Sequence, residues 1–209
     1  MDNGLILLII LRLSVKYIYM DITYLEVLKG YTLGIFPMGN QFNELEWYCP
    51  PKRCVFLLDQ FHYHKRLERK IRQGIFDIKI NQNFKLTMQM CANRDDTWIS
   101  AKILDIYTKL HELGFAHSVE AYYENNLVGG LYGVSIGGAF MGESMFHTMT
   151  DASKVCLVYL VKRLQQKEFM ILDCQYQTNH LSSFGAKIIN HEDYIEILAK
   201  ALIFKTSFI

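Results

Sequence analysis

An excess of either charge is missing from this chain. Its 22 Lys and Arg stand against 21 Asp and Glu, a net charge of +1. There is thus no bulk basic signal for nucleic acid, and any phosphate contact must come from a local patch. An apolar run of membrane-spanning length is missing too. The run at 5–11 has seven residues, where a bilayer span needs about 20. It begins beside an acidic residue, Asp2, and has no small-residue cleavage site, so it makes a poor signal peptide. It reads as a buried strand or as part of an extension upstream of a start at Met20. The five cysteines, at 49, 54, 91, 156 and 174, include no C-x-x-C pair. They read as reduced thiols in a reducing compartment, so the expected location is the cytoplasm, with no membrane. Internal repeats and low-complexity segments are absent. So are a nucleophile elbow, a Walker loop and a dinucleotide glycine pattern. His62, His64, His111 and His117 lack metal-ligand spacing with a carboxylate or thiol, so core or capping roles are expected for them and no metal site.

What is present is a globular composition, 51% hydrophobic and 21% charged over 209 residues, enough for one large domain or two small ones. A helix is expected from about 21, capped by Asp21 or Thr23, with Leu25, Leu28 and Tyr31 on one face. Gly34 ends it, and 34–40 reads as an unusually apolar loop. Pro50-Pro51 marks a boundary between a small N-terminal domain, 1–51, and a larger one, 52–209. Beyond it the patterns predict strands at 54–58, 76–80, 116–123, 127–134 and 139–146, and helices at 64–73, 84–92, 102–113 and 153–166. The alternation suggests an α/β or α+β sheet of mixed direction.

Two stretches carry chemistry. The strand Phe169-Met170-Ile171-Leu172 runs into Asp173, and Gln175 follows two residues later. Strand alternation would point Asp173 and Gln175 the same way, and a buried Asp is rare unless paired or working. In Phe140-Met141-Gly142-Glu143-Ser144-Met145-Phe146, Glu143 sits in apolar surroundings that raise a carboxyl pKa or call for a cation. Phe140, Met145 and Phe146, with Leu160 and Leu164 one helical turn apart, would wall an apolar pocket flanked by Glu143, Asp173 and Gln175. The residues alone suggest a site for an apolar side chain next to an amine. The basic segment with Lys65, Arg66, Arg69, Lys70 and Arg72 against the single Glu68 is the one sizeable phosphate-binding candidate. Such a run is more often a solvated face.

An ordered set of motifs resembles the leucyl/phenylalanyl-tRNA–protein transferases. It comprises Tyr31-Thr32-Leu33-Gly34-Ile35-Phe36-Pro37, Thr97-Trp98-Ile99, His111-Glu112-Leu113-Gly114, Leu127-Val128-Gly129-Gly130, Gly142-Glu143-Ser144-Met145-Phe146, Ala152-Ser153-Lys154 and Asp173-Cys174-Gln175. The resemblance implies a GNAT-type acyltransferase domain behind a small N-terminal domain. It implies transfer of Leu or Phe, sometimes Met, from aminoacyl-tRNA to a protein with N-terminal Arg or Lys. The product is marked for N-end-rule degradation, with no cofactor beyond the tRNA co-substrate; a monomer is expected. It also implies roles. Asp173 and Gln175 would orient the amine and take its proton, and Glu143 would pair with the cationic acceptor. Tyr31, Trp98 and Tyr107 would line the site, Leu131, Phe140, Leu160 and Leu164 would form the side-chain pocket, and the basic helix would hold the tRNA. The chain departs from the pattern at Met38, where a Trp is usual, and at 17–20, where a glycine pair is expected. Two alternatives are an acyl-CoA-dependent GNAT enzyme, disfavoured because no glycine-rich pyrophosphate loop of the needed spacing occurs, and a non-catalytic relative that still binds tRNA.

Overall fold

A computed structural model describes residues 22–40, 42 and 44–209. The expectations for the apolar run at 5–11, for a start at Met20 and for a cap at Asp21 lie outside them. Helix α1, Tyr24–Thr32, is preceded by Thr23, whose amide donates to Glu26 at 2.7 Å, the reciprocal half of a capping box. Gly34, with φ +77°, ends it. The next stretch is not the expected loop. β1, Phe36–Gly39, and β2, Leu45–Tyr48, form a separate antiparallel ribbon. Pro37 is tolerated there because a two-stranded ribbon has only edges.

After β3, Lys52–Phe56, come α2, Lys65–Arg72, β4, Asp77–Ile80, α3, Phe84–Ala92, and α4, Ala101–Glu112. A meander follows: β5, Ala116–Tyr123, β6, Asn126–Ile136, and β7, Ala139–His147. Helix α5, Ala152–Gln166, then crosses to β8, Ile171–Asp173, which is shorter than the apolar run suggested. The chain ends with the short α6, Asn179–Ser182, β9, Lys187–Asn190, and α7, His191–Ile203.

Seven strands make one sheet in the order β4-β5-β6-β7-β8-β3-β9, antiparallel except for β7 beside β8. The mixed sheet is the one expected. Alternate residues feed two cores. Tyr132 and Met141 join α1, α3, α4 and α7 on one face, while Leu131 and Phe140 join α5 on the other. Val27, Tyr31 and Phe36 lie in the first core with Tyr107 and Tyr194, so the residues before β3 share its apolar interior.

Two features open the middle of this sheet. β7 and β8 pair only from Ala139↔Ile171 to Met141↔Asp173 and then part. Just beyond, β7 carries a bulge: Tyr132 pairs with Ser144 and Gly133 with Gly142, which leaves Glu143 as the extra residue. A bulge bends its strand and re-aims the side chain it carries. Gly133 makes the bulge possible, since a Cβ there would lie 2.3 Å from the Met141 carbonyl oxygen and 2.4 Å from the Phe140 ring.

Candidate active site

A cavity of about 470 Å³ occupies the fork where β7 and β8 part, beyond the carboxyl end of β8, the side on which open α/β sheets commonly take their ligands. Leu131, Met145, Leu157, Leu160 and Leu172 form its apolar wall; Phe36, Met38 and Trp98 cover it; Glu143, Gln175, Arg94, His180, Ser144 and Thr178 are among its polar groups.

Glu143 is the carboxylate on that wall. Its Oε1 accepts from the Tyr31 hydroxyl at 2.6 Å and from Gln175 Nε2 at 3.4 Å, and its Oε2 from the Tyr107 hydroxyl at 3.3 Å. The two tyrosine hydroxyls also bond each other. Burial pushes the Glu143 carboxyl up to about 8; the Tyr31 hydrogen bond opposes the rise and the Asp173 charge adds to it. The same burial, followed by the Glu143 charge, raises both tyrosines well above their ordinary range, so they remain proton donors.

Asp173 has the opposite surroundings. It is 1% exposed and absent from the cavity wall. Arg53 grips it with two bonds, Nε to Oδ1 at 2.9 Å and Nη2 to Oδ2 at 2.8 Å. The Tyr194 hydroxyl donates to Oδ2 and the Gln175 amide to Oδ1, both at 2.9 Å. Arg53 is itself held between the rings of Phe36 and Tyr194, 4.7 and 4.5 Å from the centroids, and donates to the Gly34 carbonyl at 3.1 Å. Such a bidentate, aromatic-clasped guanidinium is a role Lys cannot fill.

The expectation that Asp173 and Gln175 face the cavity together is therefore corrected. The strand ends at Asp173, and Gln175 takes a left-handed backbone, φ +56°, that breaks the alternation. Gln175 reaches the cavity and Asp173 fixes it from behind. Four more of the expected positions shift. Tyr31 and Tyr107 lie behind Glu143, not on the wall. Phe140 packs against Phe208 at 5.2 Å, and Leu164 is fully buried further along α5. The cavity takes Leu157 with Leu160 in place of Leu160 with Leu164, because the wall uses only the first turns of that helix. Trp98, Leu131 and Leu160 are on the wall.

The sequence reading missed Arg53 and Tyr194, which are 120 and 21 residues from Asp173. A fully buried Arg after Pro50-Pro51 leaves no periodic mark, although its need for a buried anion could have been asked. Arg94, His180 and Leu172 at the cavity were missed as well.

Helix α2 buries Leu67 and leaves Lys65, Arg66, Arg69 and Arg72 exposed. Lys70 pairs with Asp151 at 2.7 Å, and Lys154 pairs with the other oxygen of Asp151 at 2.8 Å. Those two cations hold the Asp151 carboxyl down at about 2 against the cost of burial. Burial lowers the His180 pKa, and the Lys154 charge lowers it further. A chain of neighbours thus connects the basic helix to the cavity. Among the described residues no cluster of three or more His, Cys, Asp or Glu could hold a metal ion, and no helix is long and apolar enough to cross a membrane.

Comparison with known proteins bears on this geometry. Among solved structures, FemX overlays with a TM-score of 0.54 at 12% identity, covering 90% of this chain and 74% of that one, a likeness of fold alone. A leucyl/phenylalanyl-tRNA–protein transferase of Maricaulis maris is 46% identical over 189 residues, 88% of each chain. One of Herpetosiphon aurantiacus is 47% identical over 177 residues, 84% of this chain and 92% of that one. With the family model matching residues 55–199, the chain belongs to the leucyl/phenylalanyl-tRNA protein transferase family.

Proposed function

We propose that the protein moves Leu or Phe, and in some cases Met, from an aminoacyl-tRNA to the N-terminal Arg or Lys of a protein, marking it for N-end-rule degradation. In this reading residues 52–209 are a GNAT-type catalytic domain behind a small N-terminal domain, and the enzyme works as a cytoplasmic monomer. The observation that carries the proposal is Glu143, a carboxyl pushed up to about 8 on the wall of an otherwise apolar cavity. The apolar wall takes the amino acid's side chain, where shape is worth about 1–3 kcal/mol per methylene. Trp98 offers its ring to the terminal adenine.

An aminoacyl ester is already activated, so the chemistry needs no metal or organic cofactor. The acceptor's α-amine attacks the ester carbonyl carbon. A C–N bond forms, the C–O bond to the ribose breaks, and one proton passes from nitrogen to the ribose oxygen. Glu143 is matched to that traffic: its pKa of about 8 lies beside the ordinary α-amine value of about 8. The cationic acceptor pulls that pKa down on arrival and so restores the carboxylate that receives the proton. Tyr31, Tyr107 and Gln175 hold Glu143 in place, and Asp173, locked by Arg53, positions Gln175.

The tRNA's phosphates would lie along Lys65, Arg66, Arg69, Lys70 and Arg72, with Lys154 and His180 continuing toward the cavity. An acyl-CoA substrate is disfavoured by Asp151, which puts a negative charge at the N-terminus of α5, where a pyrophosphate would need the helix dipole. Mixing the purified protein with Leu- or Phe-charged tRNA and a peptide starting with Arg tests the reading. The expected product is the peptide extended by one residue. No transfer from either tRNA rejects the reading, and tight binding of coenzyme A would favour the alternative.

A further inference from the structure

Helix α3 ends in an inverse γ-turn: Asn93 has φ −76° and ψ 71°, and the Arg94 amide donates to the Ala92 carbonyl at 2.8 Å. The turn delivers Arg94 to the wall of the cavity, where the residue is exposed and so stands at the mouth. Later in the same loop, Trp98 covers the cavity, its carbonyl tied to the amide of Gly39 in β1 at 3.0 Å. Asp95 and Asp96 follow Arg94, yet among the described residues no carboxylate pairs with it and its guanidinium makes no hydrogen bond. Its charge is nonetheless felt inside. Burial raises the pKa of Cys91 and of Tyr132, and Arg94 opposes the rise at both. An exposed cation is stable without a partner, as on any solvated face. What singles this one out is where it stands.

Among the described residues Arg94 is the only Lys or Arg on the cavity wall. His180 is there too, but burial lowers its pKa, so its ring adds no full charge at neutral pH. If the cavity takes the end of an aminoacyl-tRNA, on which this inference rests, most of what enters has no use for a cation. The ester is uncharged. The amino acid's amine, the acceptor's amine and an acceptor Arg or Lys side chain are neutral or positive. The one anion common to every substrate pair is the phosphodiester on the 5′ oxygen of the terminal adenosine. With the ester turned inward to Glu143 and the adenine on Trp98, the 5′ side of the ribose is left toward the mouth. From this placement we infer that Arg94 binds the phosphate joining the terminal adenosine to the rest of the tRNA, through the paired N–H groups that a guanidinium presents to phosphate oxygens. The contact fixes how far the ester reaches toward Glu143.

The test uses two unreactive analogues in which leucine is joined to the 3′ position of adenosine by an amide. One has a free 5′ hydroxyl; the other carries a 5′ methyl phosphate, with the single negative charge of the nucleic-acid chain. Their Kd values for the full-length wild type and for Arg94→Gln are read by calorimetry, beside a transfer assay with charged tRNA. The wild type should bind the phosphorylated analogue about tenfold more tightly, the size of a charge-assisted hydrogen bond. In Arg94→Gln the two Kd values should come within about threefold of each other, with that of the plain analogue unchanged. A wild type that binds the phosphorylated analogue no better than the plain one, or does not bind it measurably, overturns the assignment. So does a variant that keeps the wild-type preference, and so does one that binds both analogues worse, since Arg94 would then support the wall and not the phosphate. A wild type that transfers nothing from Leu- or Phe-charged tRNA removes the acyl-transfer reading, and this inference with it. A wild type that transfers, beside a variant of unchanged preference, removes only this inference.

Discussion

Asp173 ends β8 and Glu143 sits at the bulge of the neighbouring parallel strand β7, and the protein treats them in opposite ways. Asp173 has a full positive charge against it, a tyrosine hydroxyl and a backbone amide, and no place on the cavity wall. Glu143 faces the cavity with neutral donors only. The first arrangement holds a paired charge in one rigid pose. The second makes ionisation expensive and therefore responsive to whatever enters. A stationary carboxylate suits holding Gln175 in its strained backbone, and a titrating one suits receiving a proton. The difference comes from one guanidinium, which a three-residue parallel pairing and the antiparallel β3–β8 register bring to Asp173 and not to Glu143.

The largest effect comes from breaking the rigid half of the pair. Arg53→Leu leaves the Asp173 charge buried and uncompensated, a loss of about 3–5 kcal/mol. For a chain of this length that is a fall in Tm of roughly 6–20 °C. Arg53→Lys should recover little, because one ammonium cannot serve both carboxylate oxygens while lying between Phe36 and Tyr194. Adding Asp173→Asn to Arg53→Leu should recover part of the loss, since the stranded charge is then gone. A Tm within a degree or two of wild type for Arg53→Leu would erase the contrast between the two carboxylates.

The responsive half is tested by Glu143→Gln. Transfer should slow by about 10²–10⁴-fold, the range for removing a proton acceptor. Stability should move the other way. The folded pKa, about 8, lies above the ordinary glutamate value of about 4.3. Between those values the unfolded chain gives up a proton that the folded chain keeps, so wild-type stability falls as pH rises from 4.3 to 8 and then levels. Each unit costs at most about 1.4 kcal/mol. The variant, with nothing to titrate there, should gain on wild type across that window, as read by melts at pH 5 and 8. Parallel curves would mean that Glu143 is ordinary.

Much of this was legible in the sequence. Period and punctuation placed α3 at 84–92 and found the meander of β5 to β7, because Phe84, Met88 and Cys91 recur at helical spacing and the turns at 124–126 and Gly137-Gly138 break the long strand-forming runs. Glu143 stood out because a carboxylate among Phe, Met and Gly is chemically odd. The direction of Asp173 was not legible. It depends on a single left-handed residue, Gln175, and on Arg53 at the far side of a strand pairing, neither of which leaves a local signature. The ribbon of β1 and β2 was missed because Pro37 and the glycines argue for a loop unless the partner strand is known. The bulge at Glu143 was equally silent, being a property of two strands and not of one.

A third carboxylate sharpens the contrast with the smallest effect. Asp151 begins α5 in a left-handed conformation, φ +71°, and pairs with Lys70 and Lys154 at a partly exposed site. Its carboxyl lies at about 2, below the ordinary aspartate value of about 3.9. Its contribution is therefore complete above pH 4 and lost as pH falls toward 2. Solvent limits that contribution to about 1 kcal/mol, and Asn tolerates the left-handed backbone. Asp151→Asn should thus cost little stability at pH 7. It also frees two cations between the basic helix and the cavity, so charged tRNA should bind more tightly. The slope of log affinity against log salt should steepen by roughly 0.7–0.9 for each phosphate newly met. Filter binding over a salt series reads both quantities. Weaker binding would mean that Asp151 holds Lys70 and Lys154 in the poses the phosphates need, which would place it with Asp173 among the positioning carboxylates, not apart from it.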